Sequence, residues 1–177
     1  QVRATLEEAY QVSAAAGGPI VDDELAFRVS ADYRDERGII YNPTRDAYED
    51  DLSAVNLRGK LLWQPKAMPG FEAKLGYTHY ERDGGYYYIY ADLAEPGFYD
   101  NRVNRSNVEN FINTNVEIAS AELSYEIDPA LTLTSVTSWN DVAEDGQYDG
   151  DGTAEDRAFG LQDRDYETFT QELRLAF

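Results

Sequence analysis

The sequence predicts an all-β chain: a partial antiparallel up-and-down transmembrane β-barrel of about eight strands. Three observations carry that prediction. Stretches of about ten residues alternate apolar with polar side chains, the period of a strand with one apolar and one wet face. That length suits a tilted strand crossing a bilayer, which needs about 9–11 residues. The connections also alternate, with tight turns at one end and long loops at the other. An outer-membrane meander sorts its loops this way because its two ends face different compartments.

Composition narrows the class. The 177 residues could form one domain, and although 42% are hydrophobic they hold no apolar run long enough for a membrane helix, which needs about 20 residues. Barrel strands interleave wet and apolar positions, so a hydropathy average does not reveal them. The absence of cysteine removes disulfides, thiolate chemistry and cysteine-ligated metal. A net charge of −19 argues against nucleic acid, which requires a basic footprint. Fourteen Tyr and two Trp suit the aromatic girdles of a membrane barrel, although a carbohydrate-binding sandwich is also aromatic-rich.

The elements follow in chain order. The first strand is Val2 to Leu6. The second, Tyr10 to Ala16, has Tyr10, Val12, Ala14 and Ala16 on one face and ends in the turn signal Gly17-Gly18-Pro19. The third, Leu25 to Arg34, is the clearest: Leu25, Phe27, Val29, Ala31 and Tyr33 oppose Arg28, Ser30, Asp32 and Arg34. Residues Asp35 to Asp51 show no sustained period and read as a surface loop. The fourth strand, Ala54 to Gln64, puts Val55, Leu57, Gly59, Leu61 and Trp63 outward and Asn56, Arg58, Lys60 and Gln64 inward, until Pro65 and Pro69-Gly70 end it. The fifth, Phe71 to Arg82, has Phe71, Ala73, Leu75 and Tyr77 outward and Glu72, Lys74, Thr78 and Tyr80 inward. A long excursion from Asp83 to about Asn113 precedes the sixth strand, Val116 to Ile127. Asp128-Pro129-Ala130 turns the chain into the seventh, Leu131 to Trp139. The acidic loop Asn140 to Asp165 leads to the eighth, Tyr166 to Phe177.

Four stretches, in this order and spacing, resemble the N-terminal half of the barrel of TonB-dependent outer-membrane receptors. They are Gly17-Gly18-Pro19-Ile20 before a strand, Asn56-Leu57-Arg58-Gly59-Lys60-Leu61-Leu62-Trp63, Leu131 to Trp139, and Phe169-Thr170-Gln171-Glu172-Leu173-Arg174-Leu175. Each alone is little more than a strand pattern; the ordered set is specific. The resemblance implies a barrel of about 22 strands around a plug domain in the outer membrane of a Gram-negative cell. It also implies uptake of a scarce nutrient, most often a ferric siderophore, driven by the TonB complex through the plug. Residues 1–177 then correspond to a partial barrel domain, with the plug and the remaining strands outside it. Outer-membrane lipid and lipopolysaccharide are the implied surroundings. Two alternatives stay open: a complete eight-stranded outer-membrane barrel, and a soluble carbohydrate-binding β-sandwich. The sandwich requires Phe27, Val29, Leu57, Leu61, Leu75 and Leu123 to be buried between sheets; the small barrel requires its first and last strands to pair.

The candidate ligand-binding residues lie in the longest loop. Tyr86, Tyr87, Tyr88 and Tyr90 could stack on a substrate, and Arg102 and Arg105 could meet an anionic ferric siderophore. The plainer readings are an aromatic girdle and a solvated pair balancing Asp100 and Glu109. Asp145 to Gly152 offers oxygen ligands at alternate positions, but Thr153-Ala154-Glu155 fails the EF-hand offsets. It reads as a flexible acidic loop, and no metal site is assigned. The inward charges Arg28, Arg34, Arg58, Lys60, Glu72, Lys74, Glu122, Glu126, Glu172 and Arg174 are expected to form salt-bridge networks on the lumen wall. His79, the single histidine, reads as an interface anchor. No catalytic spacing or phosphate loop is present, so neither enzyme activity nor a cofactor is expected.

Overall fold

The computed structural model describes residues 2–4, 8–86, 96–97 and 100–177. Among them there is no helix. Ten strands are present: β1 (Val2–Ala4), β2 (Ala9–Val21), β3 (Leu25–Glu36), β4 (Tyr41–Asn42), β5 (Ala47–Tyr48), β6 (Leu52–Trp63), β7 (Phe71–Gly84), β8 (Phe111–Asp128), β9 (Leu131–Asp149) and β10 (Phe159–Ala176). Eight form one antiparallel sheet in the order β1-β2-β3-β6-β7-β8-β9-β10, and β4 with β5 makes a separate hairpin. Every main-sheet strand pairs with its sequence neighbour, so the meander is up-and-down as expected. The sheet is open: β10 pairs with β9 alone and does not meet β1. The closed eight-stranded alternative therefore does not hold.

Side-chain parity follows the period-two reading across the whole sheet. One register row runs Phe27, Leu61, Leu75, Ala121; the row beside it runs Arg28, Lys60, Gly76, Ser120. The apolar face is left open. Val29, Leu57, Leu61, Leu75 and Leu123 are all exposed and Phe27 is half-buried, which rules out the sandwich. On β10, Phe169 is 67% and Leu173 70% exposed. Among the described residues the buried apolar side chains are only Ala73, Val103 and Ile112. A chain this long would bury most of its apolar surface in a water-soluble core; this one turns it outward.

Three boundaries differ from the expectation. Gly17-Gly18-Pro19 is not the turn. It lies inside β2, and the chain reverses at Asp22-Asp23-Glu24, where Asp23 takes a positive φ of 60° and the Glu24 N–H donates to the Val21 carbonyl at 3.1 Å. Gly17 is required by close approach, since a Cβ there would sit 2.8 Å from the Phe27 carbonyl oxygen. Pro19, which has no N–H to donate, falls beside the register shift between Pro19 and Val21. The acidic stretch Asn140 to Asp165 is mostly ladder: β9 continues to Asp149 and β10 starts at Phe159. Likewise β8 starts at Phe111, five residues before the expected Val116. These strands, of 18, 19 and 18 residues, exceed the roughly 9–11 a bilayer needs. Acids do not end a strand whose ladder to its neighbour stays paired, as β9 with β8 and β10, and β10 with β9, stay paired here.

The inward charges are only partly networked. Lys74 bridges Glu72 at 2.8 Å and Glu122 at 3.1 Å, Arg174 meets Glu172 at 2.5 Å, and Arg34 pairs with Glu36. Arg28, Arg58 and Lys60 join no such pair among the described residues. Like charges fall opposite one another there, so the expected network fails at that point. His79 lies on the apolar face near its loop end, with Nδ1 2.6 Å from Glu117. The same carboxylate accepts the Tyr77 hydroxyl.

The close β2–β3 approach makes one test. Gly17→Ala drives a methyl into the Phe27 carbonyl and should cost about 1–3 kcal/mol. Denaturant unfolding would read the loss, and an unchanged midpoint would show that the strands separate there at no cost.

Candidate functional site

The long connections after β3, β7 and β9 gather at one end of the sheet, where polar side chains lock them together. In the first, the β4–β5 hairpin turns at residues 43–46. Asn42 Oδ1 accepts the N–H groups of Thr44 at 2.9 Å and Arg45 at 3.3 Å, and Asp46 takes a φ of 54°. Tyr41 and Tyr48 face each other edge to face at 5.6 Å. Asp50 Oδ1 accepts the N–H groups of Ile39 and Ile40 at 2.8 and 2.7 Å, which holds the hairpin's return to β6.

Glu49 is the centre of the lock. Its carboxylate is buried, and it accepts Asn42 Nδ2 at 2.6 Å, Arg45 at 2.8 Å, and both the Nδ2 and the N–H of Asn110 at 3.1 and 3.3 Å. Asn42 also donates to the Ser106 carbonyl at 2.8 Å, and Asn110 to the Ser106 hydroxyl at 2.8 Å. Asn110 Oδ1 then accepts the Asp149 N–H at 2.7 Å, which carries the lock to the third connection. The backbone ties the first two loops again, with Tyr41 N–H on the Arg102 carbonyl and Asn104 N–H on the Tyr41 carbonyl, each at 3.0 Å. Asn42, Asn104, Ser106 and Asn110 are all buried. A buried ion costs several kcal/mol unless paired and hydrogen-bonded, and Glu49 is both. The reading of residues 35–51 as plain surface loop is corrected here: two loops cover each other, so their polar groups are inside and must bond among themselves.

Between the hairpin and the upper ends of β3, β6, β7 and β8 lies a cleft of about 640 Å³, walled by Asp35, Arg37, Tyr48, Asp51, Asp83 and Glu109 among others. Loss of water pushes the Asp51 carboxyl above its usual range, and the charges of Glu109, Asp50 and Glu49 add to the rise. Arg37 stacks over the Tyr48 ring at 4.4 Å and pairs with Glu8 at 2.6 Å. On the third connection Asp149 Oδ1 accepts the N–H groups of Asp151 and Gly152, both at 2.9 Å. The Thr153 hydroxyl, donating to Asp151, holds that carboxyl below its usual range. This stretch is therefore a strand end and a hydrogen-bonded turn, not a flexible acidic loop. Among the described residues no three His, Cys, Asp or Glu side chains converge to hold a metal ion.

The six candidate ligand residues divide. Tyr87, Tyr88 and Tyr90 lie outside the described residues. Tyr86 packs against Tyr148 with ring centroids 5.1 Å apart and donates to Gln162 Oε1 at 3.0 Å, joining the loop end of β7 to β9 and β10. Arg102 and Arg105 are exposed, and their carbonyls hold Tyr41 N–H and Thr44 Oγ1 at 3.0 and 3.3 Å. Glu109 is met by Arg45 at 3.5 Å. Sequence reading passed over Tyr148, Gln162, Asn42, Glu49 and Asn110. Only Asn42-Pro43, a turn dipeptide between two tyrosines, signalled any of them.

This geometry defines a class, a wall segment of an up-and-down barrel with one end built into interlocked loops. Among solved structures the chain is similar to the ferric-catecholate import receptor Fiu of E. coli K12. The open form is 11% identical with a TM-score of 0.64, over 96% of this chain and 29% of that one. The closed form is 9% identical with a TM-score of 0.55, over 94% of this chain and 26% of that one. The chain thus spans under a third of the receptor's length. No protein-family model matches. At these identities the likeness establishes a barrel-like fold.

Two predictions follow from the lock and the cleft. Glu49→Ala strands the donors of Asn42, Arg45 and Asn110, at a cost of about 3–5 kcal/mol for breaking a buried pair. Hydrogen exchange should show the Asn110 and Asp149 amides losing protection while mid-strand Leu61 keeps it; equal protection at all three would refute the lock. For Asp51 the folded-state value lies above the ordinary one, so folding is favoured by its protonation. That advantage is complete below the unfolded value of 3.8 and is lost as pH rises through the folded value. Asp51→Asn should raise Tm at pH 7, and the gain should vanish below about pH 4; a pH-independent gain would contradict burial as its cause.

Proposed function

We propose that this chain is part of the barrel wall of a TonB-dependent outer-membrane receptor that imports a scarce nutrient, a ferric siderophore. The observation that carries the reading is the continuous apolar face left open across the register rows of the main sheet, backed by a polar face on alternate residues. Lipid covers such a face at no cost, whereas water does not. The interlocked loops at one end fit the outward side of such a barrel, where ligands arrive. The fold's likeness to a ferric-catecholate import receptor supports the cargo class.

In this reading Tyr86, Tyr87, Tyr88 and Tyr90 form an aromatic lip and Arg102 and Arg105 supply charge for an anionic iron complex. Coupling to the TonB complex runs through a plug domain elsewhere in the receptor. Lipid and lipopolysaccharide surround the wall in the Gram-negative outer membrane. No catalytic role is proposed.

Two measurements test it. Leu61→Arg at mid-belt should cost about 2–4 kcal/mol when the protein folds into bilayers. A neutral result there would remove the lipid-facing assignment. Deleting the gene should abolish growth on ferric catecholates under iron restriction, with recovery on complementation. Unimpaired growth on every ferric siderophore tried would remove the cargo.

A further inference from the structure

The loop end of the polar face carries a ring contact that the six candidate residues leave out. Tyr148 and Gly160 are cross-strand partners, the last but one residue of β9 and the second of β10. Parity puts them on the polar face, in line with Gly146 opposite Gln162 and Glu144 opposite Arg164. They stand at the mouth of the wall, where no open space is required alongside a plug within the barrel.

A glycine inside a strand weakens it, and Gly160 does not have the positive φ that would call for one. What excludes a side chain is Tyr148: a Cβ on Gly160 would fall against the far end of its ring, 2.6 Å from the hydroxyl oxygen. At Gly17 the obstacle is backbone; at Gly160 it is the tip of a side chain, which can swing away. Tyr86 packs on the same ring at 5.1 Å with the planes 32° apart, and its hydroxyl reaches Gln162 on β10. Seated on Gly160 and met by Tyr86, Tyr148 still keeps 39% of its surface exposed.

We propose that Tyr148 contacts the cargo at this mouth, stacking on an aryl ring of the iron complex, and that Gly160 is the positioning residue that sets its ring. The inference rests on the reading of the chain as receptor wall with cargo arriving at its loop end. A catechol ring meets a phenol in offset or edge geometry, with an attraction beyond the area it buries. Tyrosine has two χ angles to fix, and the Gly160 seat and Tyr86 fix them before the cargo docks, so less is lost on binding. An aliphatic chelator has no ring to stack.

Calorimetric titration of the full receptor in lipid vesicles tests both roles, with circular dichroism as the folding check. For ferric tris-catecholate, Tyr148→Leu removes the ring and should weaken binding about threefold to tenfold, while Tyr148→Phe should keep the parent affinity. The aliphatic ferric tris-acetohydroxamate should bind the parent more weakly and lose nothing in Tyr148→Leu. Gly160→Ala leaves Tyr148 in the chain but displaces it, and should match the Tyr148→Leu loss with little change in Tm. The double variant should bind no more weakly than either single one, because both remove the same contact. Unchanged catecholate binding in Tyr148→Leu, equal loss in Tyr148→Leu and Tyr148→Phe, or equal loss for both iron complexes overturns the stacking and leaves the cargo reading intact. Additive losses, no loss in Gly160→Ala, or failure of Gly160→Ala to fold overturns the positioning role alone. No binding of ferric tris-catecholate by the parent overturns the cargo reading and the stacking with it. If Tyr148→Leu fails to fold, Tyr148→Met takes its place.

Discussion

Register is the constraint on which the rest of this chain depends. From β2 to β10 the ladder is antiparallel throughout, with shifts only at Pro19/Val21 and Glu126/Asp128. A residue's parity therefore sets its face. A slip of one residue in β6 would send Arg58 and Lys60 to the apolar side and Leu57 and Leu61 to the wet side, at several kcal/mol for each misplaced charge in a bilayer. The loop lock needs the same register. Glu49 and Asn110 belong to two different connections and Asp149 ends β9 at the start of the third, and they meet because the strands beneath them end at matched heights.

That lock uses hydrogen bonds where a soluble core would use apolar packing. The covered loop segments are built from Asn, Ser, Glu and Arg, and supply Val103 as a buried apolar side chain. Order comes from the low local dielectric that the loops create for one another, in which each satisfied bond is worth more and each broken one costs more. Loops held this way act as one unit. Tyr86, fixed against Tyr148 and Gln162, stands on the rim that these loops form.

The period-two faces were legible because parity is local: Leu25 to Arg34 announces its two sides in ten letters. The turns at Pro65 and Pro129 were legible because proline ends a ladder by lacking a donor. Gly17-Gly18-Pro19 misled for a reason that lies on another strand, the Phe27 carbonyl that leaves no room for a Cβ. The acidity of Asp141 to Asp149 reads as a loop, while pairing with β10 throughout and with β8 as far as Gln147 keeps it extended. Of the candidate site, the tyrosine-rich loop was visible as composition. Glu49 and Asn110 were not, since their burial comes from a contact 61 residues apart in sequence. Arg28 and Lys60 were seen as inward charges, but whether a charge finds a partner depends on what lies opposite, and here that is another cation.

The apolar band itself drifts across the sheet. On β2, β3 and β6 it reaches Val12, Tyr33 and Val55, which are register partners. Continuing that row across β7 to β10 meets Glu81, Asn115, Ala143 and Asp165, and the row below it meets His79, Glu117, Asp141 and Glu167. At the other end the band on β7 to β10 extends to Phe71, Tyr125, Leu133 and Leu175, one row beyond the end of β6. Hydrogen-bond rows run perpendicular to strands, whereas a membrane slab cuts the sheet at constant height. If the strands stood upright the band would follow one set of rows. It descends across them instead, as strands inclined about 35–45° to a barrel axis require. The drift is thus written in the side chains of an open sheet, independently of any closure; in the barrel-wall reading proposed above, a slab following the band would leave the carboxylates of Glu117, Asp141 and Glu167 above it with Tyr77 and Trp139 at its edge, where Tyr77 donates to Glu117 and Trp139 Nε1 to Glu167 at 3.0 Å.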